Sequence, residues 1–299
     1  MLGSNIPLSN GLARGIEIGD DWGCESVQVY TTPSRTWDVP DLNEEKIDTF
    51  KDALEESGIS EVVAHIPFLV NLASNDRNIR KKSKDRLLLE CQRAERMGIE
   101  NVVLHPGSHN SKKREGMNRV IEGLIEVMDL MSNPSVNILL ETMAGQGTML
   151  GSSFDELSYM IDKLDGLDNF GVCFDTAHVF MAGYDIRGGE YNRVMSLFDD
   201  KVGKEAIMAV HLNDSKTSLG SNHDRHACIG DGELGLKTFY DVLQDEELAD
   251  IPKILELPKR DERSKQDLEL LRELDEYPKK YITGEEDIAT QSTFESDFK

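Results

Sequence analysis

A chain of 299 residues, 38% hydrophobic and 30% charged, is long enough for two ordinary domains or for one α/β barrel of typical size. No window approaches the roughly 18 consecutive apolar residues that a membrane span needs, and the N-terminus lacks the basic, apolar, small-residue order of a signal peptide. The expected setting is therefore intracellular, in cytoplasm or nucleus, with no membrane partner and no secretion. A net charge of −23 argues mildly against nucleic acid, because DNA binding neutralises phosphates with cations; 18 acidic and 9 basic residues lie in 241–299, so much of the surplus sits at that end.

Short apolar runs then alternate with longer amphipathic stretches. Strands are predicted at Leu2–Pro7 and Ser26–Thr31, followed by a helix over Asn43–Ser57 with Gly58 where a C-cap glycine would fall. A third strand, Glu61–Pro67, precedes a helix over Asn75–Met97 and a second C-cap candidate, Gly98. Strand Asn101–Pro106, helix Glu115–Met131, strand Val136–Glu141 and helix Ser153–Leu164 continue the alternation. Phe170–Asp175, Ile207–Leu212 and Pro252–Leu257 complete the strands, and Lys259–Leu274 reads as the last helix. This repeat predicts an α/β fold, a single TIM-type (β/α)8 barrel over residues 1–276, although an open doubly wound sheet also satisfies the periodicity. Residues 277–299 lose the pattern and read as an acidic C-terminal tail. The basic run Arg77–Arg86 fits either a DNA-facing stripe or a solvated helix face. Cys24, Cys91, Cys173 and Cys228 are too scattered for a disulfide framework or a cysteine-based zinc site and read as packing residues.

The polar residues at the strand ends carry the chemistry. His65, His105 and His211 each close an apolar run, as in Val62-Val63-Ala64-His65, and Glu141, Asp175 and Glu256 close others in the same way. In a β/α barrel those ends form one mouth, the catalytic face, with a metal site there. The residues two back (Val63, Val103, Leu139, Cys173, Ala209, Ile254) are small or apolar and suit the barrel interior. A single strand-end His is most often a satisfied structural residue. Several carboxylates in one mouth, however, are severely unfavourable without cations. A donor set of imidazole and carboxylate without thiolate suits zinc, and also manganese or iron. Asp175-Thr176-Ala177-His178 adds a donor one turn beyond a strand end, and Asp224-Arg225-His226 places a D-x-H pair on a loop.

The segments Gly171–His178, His211-Leu212-Asn213-Asp214-Ser215-Lys216, Asp224-Arg225-His226, His105–His109, Glu141–Gly147 and Ala182–Asp185 closely resemble the signatures of the endonuclease IV family of abasic-site endonucleases. The likeness runs from about residue 3 to residue 257. It implies three zinc ions, one or more of them replaceable by manganese or iron: His65, His105 and Glu141 on the first; Glu141 bridging to the second, with Asp175, His211 and Glu256; His178, Asp224 and His226 on the third. It further implies a hydroxide between two zincs as nucleophile, with Glu141, Glu256 and Asp175 as the catalytic carboxylates. The implied reaction is incision of double-stranded DNA 5′ to an abasic site, leaving a 3′-hydroxyl and a 5′ deoxyribose phosphate, with removal of 3′ blocking groups. The enzyme is expected to act as a monomer. Arg35, Phe68 and Leu69 match the family's wedge positions, with Phe68 where Tyr is common, and Arg225 is taken as a further DNA contact. Asn5 stands where a histidine is usual near the site, and His109, like His223, is left as an orienting or surface residue.

Two other readings stay open at this point. A sugar isomerase or epimerase on the related xylose-isomerase-like barrel uses a Glu, Asp, His, Glu set much like Glu141, Asp175, His211 and Glu256, but has no need of the five further donors. A non-catalytic sensor of abasic DNA needs no nucleophile-generating metal pair. Gly230-Asp231-Gly232-Glu233-Leu234-Gly235 spells the dinucleotide-binding G-x-G-x-x-G, but it lies late in the chain with no strand before it.

Overall fold

Runs rich in Val, Ile and Leu bounded by polar residues favour strands buried on both faces, which a parallel sheet with covering helices provides. In the computed structural model, which describes residues 1–6, 11–131, 134–164, 166–167, 169–258 and 260–282, these runs become β1 (Leu2–Asn5), β2 (Ser26–Val29), β3 (Glu61–His65), β4 (Asn101–Leu104), β5 (Asn137–Glu141), β6 (Phe170–Asp175) and β7 (Ile207–His211). A short hairpin, β8 (Asp214–Ser215) with β9 (His226–Ala227), precedes the last barrel strand, β10 (Lys253–Leu255). The strands close in the order β1-β10-β7-β6-β5-β4-β3-β2, all in parallel, which settles closure against the open sheet. The helices are α1 (Leu12–Asp21), α2 (Glu44–Glu56), α3 (Arg77–Met97), α4 (Lys113–Leu130), α5 (Phe154–Leu164), α6 (Thr176–Ala182), α7 (Tyr191–Lys201), α8 (Leu236–Leu243) and α9 (Arg260–Glu276).

Strand parity divides the core in two. Val63, Val103, Leu139, Cys173 and Ala209 meet inside the barrel, while their neighbours Val62, Val102, Leu140, Val172 and Val210 face the helices. Every residue inside is fully buried, so the interior is a plug rather than a pore. At the N-terminal end of the strands the Asn101 amide donates to Glu61 and the Asn137 amide to Asn101.

Several local expectations change. Gly98 does end α3 in the left-handed region at φ 78°, but α2 ends on extended Ser57, and Gly58 instead donates its N–H to Asp20. His105 and Glu256 each lie one residue beyond their strands, and the β8–β9 hairpin has no counterpart among the predicted elements. The basic run is not uniformly solvated, for Arg86 is buried and Lys84 pairs with Glu126, while Arg77, Lys81 and Lys82 are exposed. All four cysteines are buried, as expected of packing residues. The chain packs on past Glu276 through a turn at Pro278–Lys280 to buried Ile282, whereas residues 283–299 of the expected tail lie outside the described residues, as does Pro7 of the first predicted strand. Among the described residues no helix is long and apolar enough to cross a membrane.

Candidate metal centre

The inward-facing strand ends converge on Glu141, which is fully buried. Its Oε2 lies 3.3 Å from His65 Nε2 and 2.9 Å from His105 Nε2, and its Oε1 lies 3.1 Å from Nδ1 of both His178 and His211. Glu141, Asp175, His211 and Glu256 form a second group whose donor atoms all fall within 4.8 Å of one another. A third group forms at the side of the mouth, where His178 Nε2, His226 Nε2 and Asp224 Oδ1 are mutually 3.4 Å apart. Asp175 Oδ2 is 3.6 Å from His178 Nδ1 and 3.8 Å from His226 Nε2, so it faces this group as well as its own.

Local structure explains these placements. Asp175 ends β6 and is at once the N-cap of α6, its Oδ1 accepting from the His178 backbone N–H at 2.8 Å; the cap geometry is what carries His178 back over the mouth. Asp224 arrives on the loop between β8 and β9 and His226 at the start of β9, and the base of this hairpin is fastened by Asp214. That carboxylate is fully buried and accepts from the backbone N–H groups of Ser215, Gly230, Gly232 and Leu234 at 2.8–3.1 Å. Gly232 has to be glycine there, since a Cβ would stand 2.4 Å from both Asp214 Oδ1 and the Ser215 carbonyl oxygen. The G-x-G-x-x-G spelling thus does hold an anion, but the anion is the protein's own.

The imidazoles are oriented by partners that only accept. Nδ1 of His65, His178 and His226 faces the carbonyls of Ile66, Thr142 and Glu256 at 2.8, 2.8 and 3.3 Å, which puts the proton on Nδ1 and leaves Nε2 free toward the cluster. His211 is turned round: Gln28 donates from Nε2 to Glu256 Oε1 at 2.7 Å, so its Oε1 accepts from His211 Nε2 at 2.7 Å and Nδ1 faces the carboxylates. The Asn213 amide donates to Asp175 Oδ2 at 2.7 Å while its oxygen accepts from the Glu256 N–H. Gln28 and Asn213 are the residues that sequence reasoning missed; nothing in the spacing marks Gln28, whereas Asn213 lay inside a quoted motif.

The electrostatics describe a site that needs positive charge. Burial alone pushes the Glu141 carboxyl up, but His105 and His211 hold it well below the usual carboxylate range. Burial opposes charge on His178 and His211, yet Asp175, Asp224 and Glu141 raise the first, and Cys173 with Glu256 and Glu141 raises the second, well above the ordinary imidazole value. Asp224 is pushed up by burial and brought down to about 2 by its hydrogen bond to His178 and the charges of His178 and His226.

The remaining candidates lie at the rim. Phe68 is 55% exposed, its ring 5.4 Å from that of His105 and 5.9 Å from that of Tyr30; Leu69 is half-buried, and Arg35 and Arg225 are exposed. Asn5 is buried at the end of β1 opposite Gln28, with no partner for either amide atom among the described residues. His109 accepts from the Ser111 N–H on the loop after β4, away from the cluster, and His223 is exposed.

Comparison with known proteins follows the same lines. Residues 16–274 match a family described as a xylose isomerase-like TIM barrel. The chain is 39% identical over 277 residues to a protein of Trichlorobacter lovleyi named probable endonuclease 4, covering 91% of this chain and 99% of the relative. It is 40% identical over 277 residues to the protein of the same name from Geotalea daltonii, covering 91% and 97%. The crystal structure of endonuclease IV from Thermus thermophilus matches with a TM-score of 0.79 at 31% identity, over 90% of this chain and 95% of that one.

Proposed function

The chain belongs to the endonuclease IV family of abasic-site endonucleases, and from that premise we propose that it hydrolyses the DNA phosphodiester 5′ to an abasic site, leaving a 3′-hydroxyl and a 5′ deoxyribose phosphate, and that it also removes 3′ blocking groups. Three zinc positions fit the donors: His65, His105 and Glu141; Glu141, Asp175, His211 and Glu256; and His178, Asp224 and His226. The observation that carries this reading is the 3.4 Å triangle of His178, Asp224 and His226. A tetrahedral zinc with bonds of about 2.0–2.2 Å sets its ligand atoms roughly 3.3–3.6 Å apart, so the triangle already has the spacing of three ligands on one ion. Manganese or iron at one or more positions is compatible with the same donors.

Zinc supplies two things when bound, acidification of water to a pKa of about 7 and neutralisation of phosphate charge. The chain's own residues do the rest. Gln28 occupies Glu256 Oε1 and leaves Oε2, 3.4 Å from His211 Nδ1, turned toward the shared centre. Asn213 fixes Asp175, and Thr142 accepts the Asp175 N–H and the His178 Nδ1 proton through its hydroxyl and carbonyl oxygens, so the donors are held before substrate arrives. Arg35, Phe68 and Leu69 act as the wedge that opens the duplex at the lesion, with Arg225 on the DNA side of the third position; the enzyme works as a monomer.

A sugar isomerase or epimerase is the second reading, favoured by the group of Glu141, Asp175, His211 and Glu256, which would serve it unaided. It leaves the His178 triangle without a purpose. The deciding experiment is incision of a labelled duplex carrying one tetrahydrofuran abasic analogue, which cannot undergo lyase chemistry. A single cut on its 5′ side with a 3′-hydroxyl end supports hydrolysis. No cut by folded, metal-loaded protein sinks it and directs attention to aldoses and ketoses.

A further inference from the structure

Behind the rim, α3 holds a buried ionic network that the metal centre does not use. Glu90 is 2% exposed, and each of its carboxylate oxygens accepts one hydroxyl, from Thr31 and from Thr32, at the start of the loop between β2 and α2. Arg86, one helical turn earlier, places Nε 2.8 Å from Glu90 Oε1. Its terminal nitrogens donate to the carbonyls of Thr36 and Trp37 at 2.9 and 3.1 Å. Arg93, one turn later, donates to the carbonyls of Thr31 and Pro40 at 2.8 and 3.0 Å. Both arginines are buried. The loop from Thr31 to Pro40 is therefore gripped at Thr31 and Thr32, at Thr36 and Trp37, and at Pro40, and exposed Arg35 stands between the first two grips.

We propose that Glu90, Arg86 and Arg93 are positioning residues for lesion recognition: a side-chain clamp from α3 that presets Arg35 and so raises selectivity for abasic DNA without touching it. The inference rests on reading Arg35 as part of the wedge. Surface loops are ordinarily the mobile parts of a fold. A buried ion pair is an inefficient way to stabilise one, since apolar packing of the same volume does as well or better. What the fork of an arginine and the two oxygens of a carboxylate provide is direction, here six loop groups each fixed by a directed hydrogen bond. A wedge side chain ordered before encounter loses less freedom on binding, and the gain appears as affinity for the duplex, not as chemical rate.

The test is a double-mutant cycle between Glu90→Gln and Arg35→Ala, read as KM and kcat on the tetrahydrofuran duplex, with zinc content measured on each protein. Glu90→Gln is expected to raise KM roughly tenfold, kcat staying within about twofold, zinc unchanged, and this effect should vanish in the Arg35→Ala background. Trp37 gives an independent readout: in a Trp22→Phe background its fluorescence should become more accessible to acrylamide once the clamp is broken. Thr32→Val, which removes one donor to Glu90 and keeps the charge pair, carries the same cycle if Glu90→Gln fails to fold. Effects that add with Arg35→Ala, or a fall in kcat together with zinc, would overturn the clamp as a recognition device. An Arg35→Ala protein with unchanged KM overturns both the clamp and the wedge, while leaving incision itself standing.

Discussion

The loop after β7 and the loop after β2 both rise from the mouth of the barrel, and each is fastened by one buried carboxylate, Asp214 and Glu90. The fastenings are made of different atoms. Asp214 is held by backbone N–H groups of its own loop, from Ser215 to Leu234. Glu90 is gripped by side chains, and it comes from a helix nearly sixty residues away from Thr31 and Thr32. The self-fastened loop carries Asp224 and His226, whose donor atoms must sit within tenths of an ångström to share an ion. The loop with the borrowed anchor carries Arg35, which the proposed function sets against a flexible duplex. Damage to the first should therefore appear in metal content and chemical rate, and damage to the second in substrate affinity.

The largest separation should come from the metal positions. Asp224→Ala or His178→Ala is expected to lose one ion and at least about a hundredfold in incision rate with KM little changed, checked by single-turnover kinetics beside metal analysis. Chelation of the wild type should abolish cutting altogether, with zinc restoring it. Asp214→Ala comes next: four backbone N–H groups, two of them buried, lose their acceptor, at a cost of about 3 kcal/mol or more, so the melting temperature should fall and the third ion should go with the loop. If the ion stayed, the anchoring role of Asp214 would be wrong. Gln28→Ala, which frees His211 Nε2 and Glu256 Oε1, should weaken zinc binding about 10–100-fold, as competition with a coloured chelator would reveal. On the recognition side, Phe68→Ala should cost about 1–2 kcal/mol of substrate binding through lost stacking, whereas Phe68→Tyr keeps the ring and should change KM by less than about twofold.

Legibility in the sequence follows the same division. The βα repeat showed because apolar runs ending in His65, Glu141 or Asp175 recur between amphipathic stretches, a period that an open sheet shares, and parity then named the interior residues from Val63 to Ala209. His178 showed because an N-cap and its third residue sit at a fixed local spacing. What stayed hidden depended on contacts distant in the chain. Gln28 is an ordinary strand glutamine until β10 brings Glu256 beside it and β7 brings His211. Arg86 reads as one more cation of a basic run, on a DNA-facing stripe or a solvated face, because which face of α3 meets the β2–α2 loop is a tertiary fact. Gly230–Gly235 reads as no nucleotide loop because no strand is expected before it; the structure does put β9 before it and α8 after it, and its N–H groups serve the Asp214 carboxylate, which only folding delivers.

The most direct test of the metal assignment is native mass spectrometry of zinc-loaded protein beside its Asp224→Ala variant. Three ions on the wild type and two on the variant is the expected result, with incision following the count. Two or fewer ions on a wild type that still incises, or a variant that binds as many as its parent, would contradict a third position at His178, Asp224 and His226.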